Sequence, residues 1–521
     1  MDTRTDSFPV IIGVGQAVDH WDGRDPAEAP HPLAMIRTAM ARAIEDTGSA
    51  GVEQAIDCAA FIRTFPDSLG KPVTPFGTIK NLPRAVLAET DLKPRRVIYS
   101  VVGGDQPQAM VNELAAALSK GECEVAIIAG GEVTGAMKAA MKNGHALDWA
   151  DDRDGPVEDR GKGDPLLSKY ELTNGLGMPP QVYAAQEQAW RARKGLTTRA
   201  WRDLAGKVFA RFSKVAAGNA YAQFPKALDA EFIATPSRAN YPICDPLLKW
   251  HVAQDAVNQS AALVLTTAGK ARALGIADDK MVFLHGHSAI KDKLVSQRPD
   301  LAHSAATKLA LAQALEMSGL ESAAITHRDL YSCFPIVPML AAEYLGVDPL
   351  VDSMTVTGGL PFFGGPGNNY STHAIASMVE TLRKDRGSYG LVLANGGFLS
   401  KESVGIYSTR APESWSPADN AASQRMIDEG AEIALLDEDC EAQVEAFTVI
   451  HGKDGPVSAY VIARNADGRA FARIDVTDES AAQIIEDPDN LVGQNLSISH
   501  RDGANWGQEL RPSPQGHASD G

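Results

Sequence analysis

The feature that most constrains this chain is a unit that occurs twice. Gln108 to Lys120 reads as a helix and Glu124 to Ala129 as an apolar strand closed by Gly130-Gly131. Late in the chain, His373 to Arg383 reads as a helix and Gly390 to Ala394 as a strand closed by Asn395-Gly396-Gly397. Ala374 lies 265 residues after Ala109, and Ala394 lies 265 after Ala129. Helix, turn, strand and glycine pair superimpose, which implies two related α/β halves, each presenting a helix N-terminus at the carboxyl edge of its sheet.

Around the first copy, Val10 to Gln16 reads as a buried strand entering a glycine turn, Pro32 to Thr47 as a helix and Arg95 to Val102 as a strand. Strand alternating with helix predicts a parallel sheet covered on both faces. Lys138 to about Asn240 is rich in Asp, Gly, Pro and polar helical stretches, the mark of an inserted segment rather than sheet. After Tyr407 the composition shifts: Ala411 to Pro417 reads as a linker, and Gln443–Ile450, Ser458–Arg464 and Phe471–Val476 as strands separated by Gly-Lys-Asp-Gly and Asp-Gly turns. That pattern predicts a small antiparallel β-barrel of about 80 residues. The expected organisation is a first half at 1–270 carrying the insertion at about 138–240, a second half at 271–408, a linker at 409–430, a barrel at 431–510 and a disordered tail at 511–521.

Composition narrows the function classes. With 66 acidic against 49 basic residues, the formal charge is −17, so the surface field repels phosphate backbones and nucleic acid is not an expected partner. No apolar run approaches the roughly 18 residues that a membrane helix needs, and Met1 to Asp6 lacks the layout of a signal peptide, so a cytosolic protein without a membrane partner is expected. Cys58, Cys123, Cys244, Cys333 and Cys440 are odd in number and show neither Cys-x-x-Cys spacing nor grouping with His, so neither a disulfide framework nor a metal site is expected. His285 and His287, alternate residues of one strand, make a weak metal pair without a carboxylate or Cys.

The densest chemical signal is Gly358 to His373, in which every residue from Gly364 to Asn369 is Gly, Pro or Asn. Such a run lets backbone N–H groups approach a ligand just before a helix begins, where an anion or developing oxyanion is stabilised. Taken alone, the glycines are also consistent with a tight surface connection. Together with Ile127 to Glu132, Asn258 to Leu265 and Leu391 to Gly397, however, the loop resembles the thiolase superfamily in consistent order from about residue 8 to 408, and is most similar to sterol-carrier-protein-type thiolases and thiolase-like proteins. The resemblance implies a five-layered α/β/α/β/α fold of two duplicated halves, with an inserted loop domain and a coenzyme A thioester as ligand. It also implies a homodimer paired through a sheet edge, a contact that a fused barrel would block or replace.

The departures bear on mechanism. The family's nucleophilic Cys would fall at Gly103, Gly104 or Asp105; the His of its Gly-His-Pro motif is Gly365; the Cys of its Cys-x-Gly motif is Asn395; and the His of the sterol-carrier-type motif is Tyr331, followed by Ser332, Cys333 and Phe334. Thiolysis through a cysteinyl intermediate is therefore not expected. The sequence favours an enzyme that binds an acyl-CoA and acts on the carbon–carbon bond next to the thioester by retro-aldol or Claisen-type chemistry, of acetyl-CoA acetyltransferase-like ancestry. Its expected catalytic residues are Tyr331, His373 and Asn395, with Gly364, Gly365, Gly367, Asn368, Gly396 and Gly397 binding the CoA thioester. Tyr370 is a further proton-transfer candidate. The alternative is a non-catalytic protein that holds a CoA ester or lipid on a thiolase scaffold. Plainer roles stay open for each residue: Tyr331 as a core aromatic, His373 as a helix cap, Cys333 and Cys244 as buried small hydrophobes, and Asp151 to Asp154 as a solvated loop.

Overall fold

The computed structural model describes residues 3–69, 74–477 and 488–511. The expected tail beyond residue 511 lies outside the described residues. Strands β1 (Pro9–Val18), β2 (Cys58–Phe61), β3 (Arg96–Tyr99), β4 (Val125–Val133) and β5 (Asn258–Thr267) build the first half, and β6 (Val282–Lys291), β7 (Ile325–Leu330), β8 (Tyr389–Gly396) and β9 (Lys401–Ser408) the second. They form one sheet in the order β7-β8-β9-β6-β1-β5-β4-β2-β3, extended at its far edge by Glu158–Asp159. The seam between the halves is short, a β1–β6 pairing of Val10 with Phe283 and Ile11 with Val282.

The halves repeat one topology. In each, the first strand is antiparallel to the last (β1 to β5, β6 to β9), the last is antiparallel to the strand after the central helix (β5 to β4, β9 to β8), and that strand is parallel to the next (β4 to β2, β8 to β7). The sheet is therefore mixed, not parallel as the strand–helix alternation suggested. Strands buried on both faces read as continuous apolar runs in either direction, so apolar pattern alone does not encode orientation. β4 is buried throughout.

Helices α1 (Pro32–Asp46) and α3 (Ala305–Ser318) cover the outer faces of the first and second halves, while α2 (Gln106–Ser119) and α4 (Tyr370–Lys384) touch each other and strands of both halves. The result is five layers with α2 and α4 as the central one. Gly130-Gly131 and Asn395-Gly396, expected as closing turns, lie inside β4 and β8. Close approach explains the first pair: a β-carbon on Gly130 would lie 2.5 Å from Asn369 Oδ1, and one on Gly131 2.7 Å from Ser260 Cβ.

The inserted segment is largely helical, with Pro179–Arg193 and Thr198–Ala217 its longest elements. At the C-terminus, β10 (Cys440–Gly452), β11 (Gly455–Arg464), β12 (Arg469–Ile474), β13 (Asn495–Arg501) and β14 (Ala504–Arg511) close a five-stranded barrel. Its neighbours are antiparallel except at the closure, where Arg473 of β12 pairs in parallel with Trp506 of β14. The barrel is fixed to the rest by buried Arg469, which is ion-paired to Glu445 at 2.6 Å and donates to the carbonyls of Ser296 at 3.0 Å and Arg298 at 2.7 Å. Among the described residues no helix is long and apolar enough to cross a membrane.

Candidate active site

The two central helices begin side by side. Gly103, just before α2, donates its N–H to Asn368 Oδ1 at 3.1 Å, and Ser371 Oγ, in the first turn of α4, donates to the Gly104 carbonyl at 2.9 Å. Gly104 has no room for a side chain: a β-carbon there would collide with Tyr331 Oη and lie 2.5 Å from the Asn395 carbonyl oxygen. The head of α2, the loop after β7 and the end of β8 therefore converge on one point.

Asn395 donates Nδ2 to Tyr183 Oη at 2.9 Å and, weakly, to Cys333 Sγ at 3.6 Å, while its Oδ1 is buried without a hydrogen-bond partner among the described residues. Tyr183, from the inserted segment, donates to the Gly397 carbonyl at 3.0 Å, accepts the Leu399 N–H at 3.2 Å, and stacks on Phe334 at 4.2 Å between centroids. Tyr331 sets its ring edge-on against Tyr370 at 5.3 Å, and burial holds its hydroxyl well above the usual phenol range. Tyr370 is occupied elsewhere, its hydroxyl on Asp329 Oδ1 at 3.0 Å and beside Thr357 Oγ1 at 2.6 Å. Burial also pushes the Cys333 thiol up to about 12, so the sulfur that sits in this cluster is a neutral thiol.

Asp105 precedes the first residue of α2. Its Oδ2 accepts Gln106 Nε2 at 2.8 Å, and its Oδ1, buried without a partner among the described residues, lies against Gly396, where a β-carbon would strike it. Burial raises this carboxyl to about 6, opposed by the charge of Lys401. Lys401 is itself buried, with Nζ on the Val102 carbonyl at 3.2 Å. Next to it, Glu402 keeps both oxygens buried and without a hydrogen-bond partner among the described residues; Thr307, which approaches it, keeps its hydroxyl on Ser304 at 2.7 Å. Burial first, and then the Asp105 charge, hold Glu402 well above the carboxylate range. The site thus offers one carboxyl poised to ionise near neutrality, one kept neutral, a phenol and an amide.

Of the residues expected from sequence, Tyr331, Asn395 and Gly396 come together with Gly104 and Asp105, and Gly397 joins through its carbonyl to Tyr183. Asn368 braces the site: Nδ2 donates to the Arg63 carbonyl at 2.8 Å and to Ser68 Oγ at 3.0 Å. The glycine loop spends donors on itself and its neighbours, since Gly365 N–H donates to the Gln254 carbonyl and Gly367 N–H to the Gly365 carbonyl, both at 2.8 Å. Gly364 packs on the Gln259 side chain. His373 turns toward β1, with Nδ1 2.8 Å from Gln16 Oε1 and its ring 5.1 Å from Phe363, and burial lowers it to about 3, a neutral imidazole. The rings of Phe363 and Tyr370 stand between it and Tyr331. His285 bonds the Arg410 carbonyl at 2.7 Å, whereas His287 accepts the Ala418 N–H at 3.1 Å and stacks on Trp415. Sequence reasoning missed Tyr183, Lys401 and Glu402; the last two are adjacent charges that open the buried strand β9.

No protein-family model matches the chain. Among solved structures it is similar to a monomeric SCP2-thiolase-like protein type 1 from Mycobacterium smegmatis, with 30% identity, a TM-score of 0.81, and coverage of 96% of this chain and 99% of that one. An Ltp2-ChsH2(DUF35) aldolase shares the fold at 18% identity and a TM-score of 0.55, over 78% of this chain and 98% of that one. The acetyl-CoA acetyltransferase of Syntrophomonas wolfei does so at 14% identity and a TM-score of 0.55, over 77% of this chain and 99% of that one. Among curated proteins, acetyl-CoA acetyltransferase 2 of Arabidopsis thaliana is 28% identical over 139 residues, 26% of this chain and 32% of that protein.

Proposed function

The chain belongs to the SCP2-thiolase-like proteins of the thiolase superfamily, and from that premise we propose that it binds an acyl-CoA thioester and acts on the adjacent carbon–carbon bond without a cysteine nucleophile. The observation that carries the proposal is the convergence of Asp105, Tyr331 and Asn395 at the head of α2, with Gly103, Gly104 and Asp105 where the family places its nucleophile.

With a 3-hydroxyacyl-CoA, the Asp105 carboxylate takes the 3-hydroxyl proton, the C2–C3 bond breaks as the C3 carbonyl forms, and the electron pair passes onto the thioester as an enolate. The Asn395 N–H now aimed at the Cys333 sulfur would hold the enolate oxygen, assisted by the positive end of α2. Tyr331 protonates C2 and recovers its proton from Asp105, a downhill return because the phenol is by far the weaker acid. His373 orients Gln16 rather than moving the proton. The same groups serve a Claisen-type reaction: Asp105 removes a C2 proton, the enolate carbon attacks the carbonyl of a second acyl-CoA, and the CoA thiolate leaves and takes the proton back from Asp105.

A second reading rests on Tyr183. Its hydroxyl already occupies an Asn395 N–H, which favours a scaffold that holds a CoA ester or lipid without turning it over. Mass spectrometry after incubation with a panel of 3-hydroxy- and 3-oxoacyl-CoAs separates the two. Shortened acyl-CoA and a released carbonyl compound are expected; binding without any product supports the scaffold reading, and no binding of any CoA ester overturns the enzyme reading and the CoA-ester form of the scaffold reading.

A further inference from the structure

Away from this cluster, a half-enclosed cavity of about 410 Å³ adjoins the carboxyl ends of β2, β3 and β4, within the size range of small-molecule sites. Most of its wall is apolar, including Leu69, Ile79, Leu82, Val133, Met137 and Trp149. Among the described residues, the charged and polar groups of the wall are nearly all satisfied. Arg63 is ion-paired to Asp159, donates Nε to the Ser100 carbonyl at 2.8 Å and lies 4.1 Å over the Tyr99 ring. Tyr99 donates to Asp67 Oδ2 at 2.6 Å, and Lys80 is paired with Asp154 at 2.6 Å.

Glu132 is the exception. It lines the cavity with only 4% of its surface exposed, and its Oε1 accepts the Phe65 N–H at 2.5 Å, which leaves Oε2 to the cavity. Burial raises its carboxyl to about 8, and Asp67 adds to the rise, so at neutral pH Oε2 carries a proton it can donate.

We propose that this cavity binds an uncharged, largely apolar small molecule through one carbonyl oxygen, which accepts a hydrogen bond from the Glu132 carboxyl. A carboxylate or phosphate ligand would meet Asp67, Asp159 and Glu132 with Arg63 and Lys80 already paired. An ammonium ligand would have to create a new buried ion pair at the cost of desolvating both charges. A carbonyl on an apolar body asks for one donor and a dry wall, which is what the cavity supplies. Because the phosphates of a CoA ester find no unpaired cation among the described residues of this wall, the site stands apart from the proposed acyl-CoA chemistry and does not rest on it.

The test is isothermal titration calorimetry on the full chain with three ten-carbon probes: 2-decanone, decanoate and decylamine. The ketone is expected to bind at one site, with both charged probes at least about tenfold weaker. Glu132→Leu, which removes the donor, weakens ketone binding about tenfold, while Glu132→Gln, which keeps an N–H, stays within about threefold. Thr78→Trp, at an exposed lining position, fills the cavity and abolishes binding. The proposal is overturned if the ketone does not bind at millimolar concentration, if a charged probe binds as tightly, or if Thr78→Trp or Glu132→Leu leaves its affinity unchanged. Should Glu132→Leu fail to fold, probe selectivity and Thr78→Trp decide.

Discussion

Gly103 and Asn368 occupy equivalent places in the two halves, 265 residues apart, and are joined directly by the Gly103 N–H donating to Asn368 Oδ1 at 3.1 Å. Through its amide nitrogen the same side chain holds the Arg63 carbonyl and Ser68 Oγ, so one buried asparagine ties the loop after β2, the entry to α2 and the entry to α4. Asn368→Ala strands the Gly103 N–H and the Arg63 carbonyl, each at the price of desolvation without a partner. A loss of about 1–3 kcal/mol is expected, seen as a lower urea midpoint. Asn368→Asp restores the acceptor for Gly103 but not the donors, and should recover part of the loss.

Cys333 provides a check on the proposal that no cysteine acts as a nucleophile here. With its thiol near 12, about one molecule in ten thousand is thiolate at pH 8, against roughly a quarter for an unperturbed cysteine. Alkylation of Cys333 by iodoacetamide, followed by peptide mass spectrometry, should run about three orders of magnitude slower than for a model thiol. Rapid, stoichiometric labelling of Cys333 would instead mark an activated nucleophile.

The architecture was legible because two central strands, Val125–Ala129 and Leu391–Ala394, are buried on both faces and so read as unbroken apolar runs at a constant spacing. Strand direction was not legible, because burial constrains side chains and not chain polarity. The glycines after each run misled in a specific way: Gly130 serves the approach of Asn369 within a strand and not a turn. In the candidate site, Tyr331 and Asn395 could be singled out from sequence because they stand at motif positions. Tyr183 was not, because it lies 212 residues from Asn395 on a helix whose residues from Val182 to Arg191 are all buried, and only the folding of the insertion over β8 gives it a role. Asp105 was legible as a position but not as an acid, since its ionisation depends on burial and on Lys401, which no local pattern encodes.

Glu132 makes a prediction about stability. Its folded-state value of about 8 lies above the ordinary 4.5, so the native state keeps a proton that the unfolded chain releases. The contribution is intact below about 4.5, erodes as pH rises through the interval, and is fully lost above about 8. Glu132→Gln keeps the acceptor for Phe65 and cannot ionise. Its thermal midpoint relative to the parent should therefore rise steadily between pH 5 and pH 8 and level off beyond; a constant offset would show that Glu132 is not held neutral.

Asp105 makes the corresponding prediction for turnover. If its carboxylate takes the substrate proton, kcat/KM should rise with pH through about 6 as the group ionises and then flatten, since burial sets the value and Lys401 only tempers it. Asp105→Asn should remove that rising limb and lower kcat at least a hundredfold while the dissociation constant for the CoA ester changes little. Tyr331→Phe should cut kcat by a similar factor yet keep the rising limb, because the phenol stays protonated across this range. The pair thus separates a base from an acid: loss of activity in both with the limb retained in both would move the titrating group off Asp105.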